Sequence, residues 1–248
     1  MWYKLKRIMM RPNGVEKQVR PKWWWQPWAD TVLYLPLDGD VVDYSSYART
    51  ITVYWAGASV GTPVFSNITW WKQVANFIAT NPNNSNWFAF TENLTDIPTS
   101  WDMTLSFWMS WGGNTTNDYE HIIAYRNQNW FAWMSMISNN GNFLFHGSWQ
   151  ENTTFYPTTW TWYHIVCVVD NWTCNIYQDW SLIYTDSYTY WSGGNWLWIW
   201  AYPESFHTNG RYEPYNWLLS EVIIEKVAWS AQDVSDYYDL TKWDYGIS

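Results

Sequence analysis

From Thr31 onward the chain alternates short runs of β-branched, aliphatic and aromatic residues with clusters of Asn, Gly, Asp, Ser and Thr. The clearest runs are 31–37, 103–110, 121–125, 131–137, 142–146, 162–169, 173–178, 181–185, 197–201 and 218–226. Each is five to nine residues long, which suits a strand and is short for a packed helix. Ten such runs separated by turn-forming residues predict an all-β domain of two antiparallel sheets stacked as a sandwich. A single helix is predicted over 230–238, where Ser230 can cap the first turn and Asp233 stands three residues on, an Asp variant of the capping box. No fixed-period repeat runs along the chain, which argues against a propeller or solenoid.

At 248 residues, with 48 % apolar residues, the chain can bury a core that needs neither disulfide nor metal to fold. We divide it into a basic arm at 1–22, a linker at 23–30 and one sandwich domain at 31–248. Seven of the 13 Lys and Arg residues (Lys4, Lys6, Arg7, Arg11, Lys17, Arg20 and Lys22) lie in the arm, although the whole chain carries a net charge of −9. An acidic body repels phosphate backbones, so nucleic acid is a poor partner for it. The arm suits an acidic protein surface or, as a weaker alternative, nucleic acid, with a solvated tail as the plainer reading. The N-terminal segment has no apolar stretch of signal-peptide length, and no run reaches the roughly 18 apolar residues of a membrane span. These features lead us to expect a soluble protein outside the conventional secretion route. Cys167 and Cys174 flank a predicted hairpin and are expected as free, buried thiols, with a bridge geometrically open. The Asn-x-Ser/Thr triplets at Asn67, Asn93, Asn114, Asn152 and Asn171 carry little weight as glycosylation sites without an export signal.

Tryptophan is the anomaly: 26 residues, against 12 glycines. Many stand where backbone geometry asks for glycine. The linker reads Trp23-Trp24-Trp25-Gln26-Pro27-Trp28, and the turns Asn171-Trp172 and Asp179-Trp180 would be Asn-Gly and Asp-Gly type I′ signals if glycine stood second. One reading is that Trp23, Trp24, Trp25, Trp28, Trp55, Trp70, Trp71, Trp160, Trp172, Trp180, Trp200 and Trp217 mark a UGA codon translated as glycine, as some bacteria and their phages do. The other is a tryptophan-rich protein that uses aromatic platforms. Trp108, Trp162 and Trp229 sit in apolar strand or motif contexts and read as authentic.

Four segments in order resemble the concanavalin A-like, laminin-G-like jelly-roll lectin domains found in phage virion and bacterial surface proteins. They are Leu33-Tyr34-Leu35-Pro36-Leu37-Asp38-Gly39-Asp40 with Val42-Asp43-Tyr44, then Met103-Thr104-Leu105-Ser106-Phe107-Trp108-Met109. Next come Trp162-Tyr163-His164-Ile165-Val166 with Ile176-Tyr177-Gln178-Asp179, and last Leu218-Leu219-Ser220-Glu221-Val222-Ile223-Ile224-Glu225 with Ala228-Trp229-Ser230. The likeness spans about residues 31–240. It implies a two-sheet jelly roll with one short C-terminal helix.

The resemblance also implies a glycan-binding, non-enzymatic recognition module on a virion or other extracellular surface. Such a module would be assembled in the host cytoplasm and attached to other virion or surface proteins through residues 1–22. Homo-oligomerisation stays open. A purely structural cementing protein and a β-glucanase-like enzyme remain the alternatives. Calcium is the cofactor such folds hold, and Asp38, Asp40, Asp43 and Glu221 are its candidate ligands, since hard cations take clustered oxygens. Ser220 occupies the place of the usual closing-strand aspartate. Sugar recognition needs aromatic faces beside planar polar groups. The candidates are Trp130, Trp133, Trp149, Tyr202, Phe206, His207, Asn209, Arg211 and Tyr212, with the long connection 202–216 as a rim. Glu221 and Glu225 keep the outer spacing of a glucanase Glu-x-Asp-x-Glu strand, yet Ile223 replaces its central acid. His121, His146, His164 and His207 show neither zinc spacing nor a nucleophilic triad.

Overall fold

The structure, a computed structural model, describes residues 8–10, 16–18, 29–55, 59–60, 64–77, 86–89, 102–113, 119–126, 132–139, 142–146, 150–187, 196–199 and 217–248. The arm contributes a short hairpin in which Ile8–Met10 pairs with Glu16–Gln18. The body forms two eight-stranded sheets. In the first, the order runs Ser181–Ser187, Thr173–Gln178, Trp162–Asp170, Met103–Trp111, Trp217–Glu225, Gln73–Asn76 and Phe65–Asn67, with Thr31–Leu35 also beside Trp217–Glu225. The second runs Gln150–Phe155, Asn142–His146, Ala132–Asn139, Tyr119–Arg126, Trp196–Ile199, Asn86–Ala89, Thr52–Trp55 and Ser59–Val60. Their pairings are antiparallel, as the polar turns between apolar runs require.

Period-two alternation decides what each face of the first sheet meets. On Met103–Trp111, Leu105, Phe107 and Met109 point inward to the inter-sheet core. There they join Ile165, Cys167, Leu219 and Ile224, with Phe155 and Ile199 from the second sheet. Ser106 and Trp108 point the other way, yet they too are buried. Their cover is the C-terminal helix Ala231–Thr241, whose buried Val234, Tyr237, Tyr238 and Thr241 form one stripe at helical spacing. A sheet buried on both faces explains why all nine residues of Trp217–Glu225 are inaccessible.

The expected helix end is present as a reciprocal capping box. Ser230 Oγ accepts from the Asp233 backbone N–H at 3.2 Å, and Asp233 Oδ2 accepts from the Ser230 N–H at 2.9 Å. The two cysteines are free and buried, their sulfurs 3.4 Å apart. Trp108 and Trp229 are buried, as their apolar contexts suggested. Trp217, one of the positions where the sequence raised recoding, is fully buried and packs on Trp111 with ring centroids 6.0 Å apart.

The hairpin joining Trp162–Asp170 to Thr173–Gln178 turns through Asn171 at φ 44° and Trp172 at φ 75°, the two positive values of a type I′ turn. At the next hairpin only Asp179 takes positive φ, 59°, so Trp180 departs from the type I′ expectation. Substituting Ser230→Ala is expected to cost about 1 kcal/mol, as for other N-caps. In denaturant titration the midpoint should fall while the slope stays constant.

Candidate functional site

The acidic residues singled out in the sequence are all present, but each is already engaged by a donor. Asp43 is buried and accepts the backbone N–H groups of Tyr34, Ser45 and Arg49 at 3.1, 2.9 and 2.9 Å, with the Arg49 guanidinium 3.9 Å away. Asp40 accepts from the Val42 N–H at 3.3 Å and the Tyr44 hydroxyl at 2.8 Å. Asp38 accepts from the Gln73 N–H at 2.7 Å, tying the first loop to the neighbouring strand. Gly39 between them takes φ 90°, a backbone state that L side chains rarely adopt, so the turn favours glycine.

Glu221 reaches the outer face through a β-bulge. The register between Trp217–Glu225 and Met103–Trp111 shifts between Ser220 and Ile223, and Glu221 takes φ 52°. Inward residues therefore run Trp217, Leu219, Val222 and Ile224, three apart across the bulge and two apart elsewhere. The displaced carboxylate meets the fully buried Lys72, whose ammonium lies 3.1 Å from Glu221 Oε1 and 4.0 Å from Asp38 Oδ2. The Tyr237 hydroxyl donates to Glu221 Oε2 at 2.9 Å. Burial and the Glu221 charge push the Tyr237 phenol well above its ordinary range.

The first and last strands of the body do lie together, as the calcium expectation required. The cation between Asp38 and Glu221 is nonetheless Lys72. Among the described residues, no three His, Cys, Asp or Glu side chains converge closely enough to hold a metal ion. The four proposed calcium ligands are split between a lysine-paired couple and two turn anchors, a donor set that does not fit the ion.

Glu225, the partner of Glu221 in the glucanase comparison, accepts from Thr31 Oγ1 at 3.0 Å and from Trp229 Nε1 at 2.6 Å. Both glutamates are sealed beneath the helical cover, at 2 % and 0 % exposure. Beside them His164 Nε2 lies 2.7 Å from Ser106 Oγ, and its ring stacks on Trp108 at 5.0 Å. Its Nδ1 is buried with no hydrogen-bond partner among the described residues. Burial pushes the imidazole down to about 3 against a weaker upward pull from Glu221, so the ring is neutral. Sequence reasoning missed Lys72 and the Ser106–His164 contact.

The sugar-binding candidates fall mostly outside the described residues: Trp130, Trp149, Tyr202, Phe206, His207, Asn209, Arg211 and Tyr212. Trp133 lies on the Ala132–Asn139 strand. Residues 127–131 join Tyr119–Arg126 to Ala132–Asn139, and 147–149 join Asn142–His146 to Gln150–Phe155. Arg126 pairs with Ala132, and His146 with Ser135 and Gln150, so the strand ends that flank both connections lie toward Ala132, where Trp133 is the second strand residue. Connection 200–216 follows Ile199, which pairs with Ile123, whereas Trp196 pairs with Arg126. It therefore leaves from the opposite end.

No protein-family model and no curated protein sequence matches the chain. Solved structures do resemble it. Domain 4 of AbnA, a GH43 extracellular arabinanase of Geobacillus stearothermophilus, shares 17 % identity at a TM-score of 0.61, over 84 % of this chain and 97 % of that one. The binding domain of Paraclostridial Mosquitocidal Protein 1 shares 14 % at 0.64, over 84 % and 52 %. That of botulinum neurotoxin DC shares 13 % at 0.63, over 85 % and 51 %. The chain thus spans about half the length of these toxin domains. At such identities the likeness establishes the fold alone: an antiparallel β-sandwich.

Two outcomes follow from the buried network. Lys72→Met should cost about 3 to 5 kcal/mol by leaving Glu221 as an uncompensated buried charge, and adding Glu221→Gln should recover part of that loss in denaturant titration. His164 has a folded pKa below its unfolded value of about 6.5, so its contribution is complete above that pH and is lost as pH falls toward about 3. The melting temperature of His164→Phe should therefore fall less steeply than that of the parent between about pH 7 and 5.

Proposed function

We propose that the chain is a non-enzymatic glycan-recognition module whose binding surface lies at the Ala132 end of the second sheet. The observation that carries this reading is topological. Trp130 and Trp149 belong to connections outside the described residues, but the strand ends those connections join, Arg126 with Ala132 and His146 with Gln150, lie toward the end of the sheet that carries Trp133. Aromatic residues grouped on neighbouring connections are the usual raw material of a sugar platform. On the outer face of the first sheet the C-terminal helix covers Trp108, His164, Glu221 and Glu225.

The similar structures support the same class. Domain 4 of the arabinanase is described in complex with arabinotriose. Cell entry of botulinum neurotoxin type C is described as dependent on two ganglioside molecules. The binding domain of neurotoxin DC is described in complex with SialylT. The module's setting, in this proposal, is the surface of a phage virion, with the basic arm as its attachment and a cell-surface glycan as its target. Seven cationic residues in the first 22, ahead of an acidic body, support an electrostatic anchor.

A glycan array probed with the full chain should give saturable binding to at least one sugar. Trp130→Ala and Trp149→Ala should each weaken that binding about tenfold or more, the loss of roughly 1.4 kcal/mol. An array with no saturable signal would favour the cementing role instead. If the chain lacking residues 1–22 still joins the particle, the arm is not the anchor.

A further inference from the structure

We infer that positions 160 and 172, written as tryptophan, are glycine in the polypeptide made by the protein's own cells, through a UGA codon translated as glycine. Trp172 has φ 75° and follows Asn171 at φ 44° in a two-residue hairpin connection between the paired Asp170 and Thr173. Both central residues of a type I′ turn need positive φ, and Asn-Gly is the dipeptide that supplies it at least cost. Trp160 has φ 59° at the third position of a four-residue turn closed by the Thr161 N–H on the Thr158 carbonyl at 3.2 Å. Positive φ at that position defines a type II turn, which calls for glycine or asparagine.

A bulky aromatic residue in the left-handed region is a steric outlier, and two at separate turns share one explanation. Leu37, Ala48, Asp179 and Glu221 also have positive φ; Leu37 and Glu221 are buried and held by packing or by Lys72, Ala48 carries only a methyl group, and Asp is a residue type that tolerates the left-handed region. The indoles at 160 and 172 are 54 % and 47 % exposed, so burial compensates little for their backbone cost. Composition agrees: 12 glycines in 248 residues is below the usual level of about 7 %, while tryptophan reaches 26.

Geometry also separates other tryptophans among the described residues. Trp217 and Trp108 are fully buried core residues, and neither Trp70, Trp71 nor Trp180 takes positive φ. The inference is therefore made for 160 and 172 alone. It leaves Trp130, Trp133 and Trp149 untouched as sugar-binding candidates.

The deciding experiment is fragmentation mass spectrometry of protein purified from the cells or particles that carry the gene. Cleavage before aspartate releases segment 170–178, with position 172, and segment 118–169, with position 160. Glycine at both positions, with tryptophan at 108, is the expected result. Tryptophan at 160 and 172 would overturn the inference. A second measurement uses recombinant protein: Trp172→Gly and Trp160→Gly should raise the melting temperature, and by more than Trp172→Ala and Trp160→Ala, since alanine shares the penalty at positive φ. A lower melting temperature for both glycine variants would also count against it.

Discussion

The structure depends on one constraint: the sheet built around Met103–Trp111 and Trp217–Glu225 must be dry on both faces. Its inner face achieves this by ordinary sandwich packing, with Phe107, Leu105, Leu219 and Ile224 in the shared core. Its outer face carries Ser106, Trp108, His164, Ser220, Glu221 and Glu225, a polar set that water would otherwise reach. The C-terminal helix removes that water, so each polar group needs a partner inside the protein. Lys72, Tyr237, Thr31 and the Trp229 indole supply partners for the two glutamates. Trp108 stacks against Tyr245 at 4.1 Å and Tyr238 at 5.6 Å, filling the space between sheet and helix. The polar groups beneath this cover are thereby committed to one another and to the helix.

Much of this was legible in the sequence. The runs at 142–146 and 173–178 coincide with strands Asn142–His146 and Thr173–Gln178, because turn residues bound them on both sides. The helix cap was legible because Ser230 and Asp233 act through local geometry alone. Other features were not, for reasons of distance. Lys72 and Glu221 are 149 positions apart, and a single lysine beside two tryptophans carries no sign that it will be buried. The bulge left a fainter mark: inward residues at 217, 219, 222 and 224 break period two once, at the position where Glu221 turns outward. The acids at 38, 40 and 43 were legible as a cluster. The sequence could not indicate that backbone N–H groups would satisfy Asp38 and Asp43.

The same physics clarifies the tryptophans. In strand interiors such as Trp108 and Trp217 an indole is buried and has rings to pack on. At the Asn171-Trp172 turn it occupies a backbone state that side chains resist. One residue type thus appears in two opposed physical settings, which composition alone could not separate and backbone angles do.

Amide hydrogen exchange on the full chain tests the doubly covered sheet most directly, because protection follows burial and local stability. The account predicts that the amides of Trp217–Glu225 and Met103–Trp111 exchange most slowly of all, close to the limit set by global unfolding. Exchange there as fast as in the edge strand Ser181–Ser187 would mean that the helix does not seal the outer face, and the account would fail.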